Sequence, residues 1–246
     1  RRRQRLPGPR RAPMCVLNKR ITRNRRFATQ NLDLARLRAV ARAAKATQND
    51  VILALSAATL RRYLLELGAL PRESLVAMVP VSVRAKDEGA GGNAVGAILV
   101  SLGTDIADPA ERLAAISASA GAAKQQLQGM SRAAIIQYSA LLLAPALIGM
   151  VGPVAGRVRP TFNVVISNVP GPTETLYFRG ARLESAHPLS IPVHGQALNI
   201  TCESYADSMC VGFTGCRDAV PSLQNLAVYF GEALAELEEA TGTPAA

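Results

Sequence analysis

Residues 162–172 read Phe162-Asn163-Val164-Val165-Ile166-Ser167-Asn168-Val169-Pro170-Gly171-Pro172. Pro160 stands before the run and Pro170 ends it, so residues 162–167 are expected to form one short strand that cannot extend either way. Valine and isoleucine fill its centre, which suits a buried strand. Two prolines and a glycine then fix a sharp turn. A rigid turn at a strand end suits a cleft wall or a substrate tunnel, and it equally suits a corner that only determines the fold.

The flanking sequence fills in the layers. Downstream, residues 175–178 suit a strand, and 198–204 and 209–215 suit a hairpin turning through Tyr205-Ala-Asp-Ser208. Pro221 opens a last helix with Leu223, Leu226, Ala227, Phe230, Leu234 and Leu237 on one face. Upstream, residues 27–32 read as extended, and Asp33 caps a helix with apolar positions Leu34, Leu37, Val40 and Ala41. Thr47-Gln-Asn-Asp50 restarts a helix that runs to Leu67 and stops at Gly68. Residues 74–83 and 93–102 read as strands around a Gly-rich loop, and Asp108-Pro109 starts a helix to about Gln128. The expected class is α/β (α+β), a mixed β-sheet with helices packed against it.

Between Arg132 and Arg157 lie 24 residues without a charge, a length that can cross a bilayer. Pro145, Pro153 and the polar Gln137, Tyr138 and Ser139 argue instead for a buried or interfacial helix followed by a broken one. The net charge of +10 is concentrated at one end: residues 1–26 hold ten Arg, one Lys and no acid, so removing those 11 charges leaves −1 on the rest. Residues 1–26 are therefore expected to be a basic arm or interdomain linker, 27–240 the folded domain, and 241–246 a disordered tail. Such an arm attracts phosphate, but a nearly neutral body without basic–aromatic interleaving argues against nucleic acid as a partner. The chain begins at Arg1 without an initiator methionine, as expected of a processed chain or a piece of a longer one.

Little of the standard chemistry is present. Cys15, Cys202, Cys210 and Cys216 form no C-x-x-C pair and no zinc spacing, and they read as reduced thiols, although a Cys202–Cys210 bridge across the hairpin is conceivable. There is no phosphate loop and no G-x-S-x-G elbow. His187 and His194 are the only histidines, each next to a turn residue. Asn49 and Asp50 open a hydrophobic helix. They serve there as helix-start caps, or else the Asn49 amide faces a cleft.

In this order, Arg25-Arg-Phe27, Asn49-Asp-Val51, Pro80-Val-Ser-Val-Arg84, Gly92-Asn93, Phe162-Asn163, Ser167-Asn-Val-Pro-Gly-Pro172, Gly195-Gln-Ala-Leu-Asn199, Ser204-Tyr205 and Gly212-Phe-Thr-Gly-Cys-Arg-Asp218 resemble the C-terminal half of a bacterial wax-ester synthase/diacylglycerol acyltransferase. The resemblance implies one half of a chloramphenicol-acetyltransferase-like two-domain fold. It implies an O-acyltransferase that moves an acyl group from acyl-CoA to diacylglycerol or a long-chain alcohol. In such enzymes the N-terminal half carries H-H-x-x-x-D-G, whose second histidine acts as general base. This chain has no adjacent histidines, so no catalytic residue is carried over and the chain alone is expected to be inactive. The supporting roles implied are active-site shaping by Asn49, structure for Asp50, and tunnel lining or strand-end fixing by Ser167, Asn168 and Gly171. Arg84 is implied as a contact to the CoA phosphates. The co-substrate is acyl-CoA, with no cofactor and no metal. The implied partners are the N-terminal catalytic half and an anionic membrane or lipid-droplet surface. The location is cytoplasmic, peripheral at the inner membrane or lipid droplets. The alternative is a non-catalytic lipid-binding module of the same fold.

Overall fold

The computed structural model describes residues 12–82, 95–150, 157 and 159–243. Six strands form one mixed sheet: β1 (Arg25–Asp33), β2 (Val76–Ser82), β3 (Val95–Ser101), β4 (Val164–Val169), β7 (Leu198–Tyr205) and β8 (Ser208–Cys216), in the order β1-β8-β7-β4-β2-β3. The sheet's centre, β7-β4-β2, is parallel, while β1-β8-β7 and β2-β3 are antiparallel. A separate two-stranded hairpin, β5 (Tyr177–Phe178) and β6 (Ala181–Arg182), projects from the connection between β4 and β7.

Among the described residues five α-helices accompany the sheet: α1 (Leu34–Ala43), α2 (Gln48–Glu66), α3 (Pro109–Leu127), α4 (Arg132–Met150) and α5 (Gln224–Thr241). Local chemistry sets their starts. The Asp33 carboxylate accepts from Ala35 N–H at 2.5 Å, and Asp108 accepts from Glu111 N–H at 2.8 Å with Pro109 in the first turn. The face of the sheet turned to α1, α2, α3 and α5 is the main core, where Ala77, Val79, Ile98, Val100, Val164, Ile166, Ile200, Val211 and Phe213 meet helix leucines. Both outer strands are blunted as templates for further pairing. On β3, Ala97 N–H donates to Ser139 of α4 and Ser101 N–H to Ser119 of α3, each at 3.0 Å. The β1 edge carries exposed Arg25 and Arg26.

Several expectations shift. The basic arm expected over 1–26 is described only from Ala12, and from there it is part of the body: Ala12, Leu17 and Asn18 are buried, and β1 already begins at Arg25. The physical reason is long-range pairing by Asn163, whose amide donates to Pro13 C=O and Asn18 Oδ1, both at 2.7 Å. The helix expected to begin at Pro221 begins at Gln224, because Ser222 takes a left-handed φ of 51° that no helix tolerates. It includes Thr241, which had been assigned to the tail. Helix α4 continues through Pro145 to Met150. Among the described residues no helix is long and apolar enough to cross a membrane. Cys202 lies opposite Val211 and Cys210 opposite Glu203, so the two thiols point to opposite faces of the sheet and the conceivable bridge is excluded by register.

Candidate functional site

Pro80 shapes the site. It sits in β2, between β3 and β4, where a residue without an N–H is out of place. The β2–β4 ladder accordingly ends at Met78, opposite Val165, while β4 goes on pairing with β7 as far as Val169 and Glu203. The ladder between β2 and β4 is thus notched at its carboxyl end. Residues 167–169 have no β2 partner on that side, and these are the residues the sequence singled out.

Helix α2 reaches the same end of the sheet. Its carboxyl half is tied to the opposite end: Arg61 donates to Thr104 C=O at 2.6 Å, and the Tyr63 hydroxyl donates to Pro221 C=O at 2.6 Å. Thr104 follows β3 and accepts from Leu75 N–H just before β2, and Pro221 follows β8. Nineteen residues span about 28 Å, the length of these strands or more, so the start of α2 lies at the carboxyl ends of β4 and β7. In open sheets with parallel centres, this is the end at which ligands bind.

The predicted residues divide by role. Asp50 completes a capping box: its carboxylate accepts from Thr47 N–H at 3.0 Å, and Thr47 Oγ1 accepts from Asp50 N–H at 3.2 Å. Asn49 is half-buried, and its amide makes no hydrogen bond among the described residues. Strand alternation separates Ser167 from Asn168. Asn168 lies with Ile166 and Cys202 on the helix face, and Ser167 lies opposite Thr201 on the other, open face. Gly171 is locked in place: its N–H donates to Ser204 Oγ at 3.1 Å, and a Cβ there would stand 2.2 Å from the Ser204 carbonyl oxygen. The neighbouring Pro172 carbonyl accepts from Ala206 N–H at 2.9 Å, so the whole turn is lashed to the β7–β8 hairpin. Arg84 lies outside the described residues. His194 serves the fold, its Nδ1 accepting from Ile21 N–H at 3.1 Å.

The open face is crossed by a strap, residues 187–193, running from β6 back to β7. Ser190 N–H donates to Thr214 Oγ1 at 3.2 Å, and Ser190 and Thr201 share a hydroxyl bond of 2.6 Å. The strap presses so close that a Cβ at Gly212 would stand 2.0 Å from the Pro188 carbonyl oxygen. Sequence reasoning missed this strap, the Pro80 notch, and the buried amides of Asn18, Asn163 and Gln196. The signal for the notch was legible: a proline inside a run otherwise reading as a central strand.

Because Asp50 acts on the helix start, Asp50→Ala is expected to cost about 0.5–2 kcal/mol of stability. Asn49→Ala should change it by less than about 0.5 kcal/mol, as for a side chain that holds nothing. Urea unfolding of the two variants checks this contrast; equal losses would remove the distinction between them.

Comparison with known proteins agrees with this architecture. The profile of the WS/DGAT C-terminal domain matches residues 91–238, and that of the wax ester synthase/diacylglycerol acyltransferase catalytic domain matches residues 1–52, which include Asn49 and Asp50. A putative diacylglycerol O-acyltransferase of Mycobacterium tuberculosis (strain ATCC 25618 / H37Rv) is 53% identical over 240 residues, 96% of this chain and 48% of that protein. The O-acyltransferase WSD of Acinetobacter baylyi is 43% identical over 221 residues, 90% of this chain and 48% of that protein. The solved wax ester synthase/diacylglycerol acyltransferase from Marinobacter aquaeolei VT8 superposes with a TM-score of 0.85 at 46% identity, over 94% of this chain and 53% of that one. More distant likeness, at 18% identity and a TM-score of 0.54, to the X-domain from teicoplanin biosynthesis concerns the fold alone. The chain spans about half the length of the relatives it matches, and it belongs to the wax ester synthase/diacylglycerol acyltransferase family.

Proposed function

We propose that this chain is the C-terminal half of an O-acyltransferase that moves an acyl group from acyl-CoA to diacylglycerol or a long-chain alcohol. The observation that carries the reading is the end of the β2–β4 ladder at Met78 and Val165, with the locked turn at Gly171 just beyond it on β4. The end of β4 there is free of β2 and held by β7 and the β7–β8 hairpin, a fixed strand end that a second domain can meet to form a tunnel. The reaction is attack of the alcohol oxygen on the thioester carbonyl, with cleavage of the C–S bond and departure of CoA as its thiol. It needs a base for the alcohol proton and donors for the developing oxyanion. The base belongs to an N-terminal half bearing H-H-x-x-x-D-G; this half shapes the tunnel through Asn49, Ser167 and the Gly171 turn. Arg84 is assigned to the CoA phosphates, and no cofactor is required beyond the co-substrate.

The test is reconstitution. The chain is combined with a family N-terminal half and given acyl-CoA with diacylglycerol or hexadecanol, and release of free CoA is followed. The expected result is turnover only in the combination, lowered at least ten-fold by Asn49→Ala and little affected by Asp50→Ala where the protein stays folded. Normal turnover by the chain alone would overturn the reading.

The basic segment suits a peripheral site on an anionic membrane or lipid droplet. Because residues 12–18 are packed into the body, the informative deletion is residues 1–11 only. Flotation with anionic vesicles should be lost on that deletion, and equal flotation would count against surface attachment by the arm.

A further inference from the structure

On the open face, from the last β2–β4 pair toward the amino ends of β4 and β7, lies a cavity of about 150 Å³ that none of the roles above uses. Met78, Val165 and Asn199 form one row across β2, β4 and β7 at its base, Leu143 of α4 and Phe162 flank it, and Ile191 of the strap, 83% exposed, stands at its open rim. No lining residue carries a charge. Gln196 lines the cavity, is 6% exposed, and has one uncommitted atom: Oε1 makes no hydrogen bond among the described residues.

The orientation of that amide is fixed. Gln196 Nε2 donates to the Phe162 carbonyl at 3.1 Å, and the same carbonyl accepts from Asn18 Nδ2 at 3.3 Å. Turning the amide over would set oxygen against oxygen, so Oε1 is the atom left over. The other polar side chain of the lining is half engaged: Asn199 Oδ1 accepts from the Thr201 hydroxyl at 2.8 Å, and its Nδ2 makes no hydrogen bond among the described residues. The cavity thus offers apolar walls, the Gln196 acceptor and the Asn199 amide donor.

We propose that this cavity binds a neutral aliphatic alcohol, whose hydroxyl donates to Gln196 Oε1 while its alkyl body packs on Met78, Phe162 and Val165. A carboxylate or phosphate finds no cation there, an ammonium would be buried without a counter-charge, and a hydroxyl can both donate to Gln196 Oε1 and accept from the Asn199 amide. A hydroxyl supplies the one proton that the orphan oxygen lacks, and a cavity of this size accepts a group about as large as benzene. The site rests on geometry alone.

The experiment measures binding, not turnover, on the whole 246-residue chain, so its failure is separate from failure of the reconstituted reaction. The probes are 1-hexanol and its isomer methyl pentyl ether, which has the same atoms and no O–H, followed by saturation-transfer NMR and titration. The expected result is saturable binding of 1-hexanol about ten-fold tighter than the ether, the worth of one hydrogen bond. Val165→Phe, which fills the cavity, should abolish both, and Gln196→Met should bring the alcohol down to the level of the ether. Unchanged circular dichroism spectra establish that the variants are folded, and the comparison of the two isomers on the unmodified chain needs no variant. Equal affinity for alcohol and ether, unaltered binding by Val165→Phe, or no saturable binding (a cavity that holds only water) would each overturn the proposal.

Discussion

Replacing Asn163 with leucine is expected to remove about 4 kcal/mol of stability and to free residues 12–18 from the body. Asn163 is fully buried immediately before β4. Its Oδ1 accepts from Val76 N–H at 2.9 Å, closing the start of β2, and its Nδ2 donates to Pro13 C=O and Asn18 Oδ1. Leucine fits the volume but satisfies none of the three. Each polar group left buried without a partner costs about 1–3 kcal/mol, and partial relaxation brings the sum to the stated figure. Domains of this size are stable by only about 5–15 kcal/mol, so the loss is a large fraction of the whole. Asn18 spans the same seam, donating to the carbonyls of Phe162, Asn163 and Gly195. The release should therefore be local as well as global. Urea unfolding reads the first effect, and limited proteolysis within residues 12–24 reads the second. A midpoint close to that of the unmodified protein, or a lowered midpoint with no new cleavage there, would contradict this account of the seam.

The same seam shows what the sequence could carry and what it could not. Helix starts were legible at Asp33, Thr47 and Asp108 because the cap and the N–H it satisfies lie two or three residues apart. The β7–β8 hairpin was legible for the same reason. The packing of residues 12–24 was not, because its partners lie about 150 positions away and because a run of arginines and prolines reads as solvated chain. The site was half legible. The residues singled out at the carboxyl end of β4 and at the start of α2 lie at the same end of the sheet. Their grouping as one lining was too coarse, since the pleat sends Ser167 and Asn168 to opposite faces and the capping box absorbs Asp50 but not Asn49. The notch depends on where a ladder stops, and that is a property of two strands rather than of either sequence alone.

Gly171→Ala should lower acyl transfer by the reconstituted enzyme at least ten-fold while costing only about 1–3 kcal/mol of stability. The added methyl would sit 2.2 Å from the Ser204 carbonyl oxygen and 3.0 Å from Glu203 Cγ. The side chain of Glu203 can swing away, but the backbone of β7 is held by its ladders to β4 and β8. The turn is the part that must move. Lifting it strains or breaks the Gly171 N–H to Ser204 bond and the Ala206 N–H to Pro172 bond, and it displaces the end of β4 by about an ångström. The core beneath is untouched, because Ile166 and the helix face lie a full pleat away. A shift of that size in a group that positions substrate is worth about a hundred-fold in rate, much more than the same shift is worth in stability. Ser204→Ala separates the two contributions: it removes the side-chain acceptor without the clash, and should cost about 1 kcal/mol with little change in turnover. If Gly171→Ala lowers the melting temperature but leaves turnover of the reconstituted enzyme intact, the turn holds the fold and does not wall the tunnel. If turnover falls while Ser204→Ala is nearly silent, the position of the strand end, fixed by a residue with no side chain, is what the signature preserves.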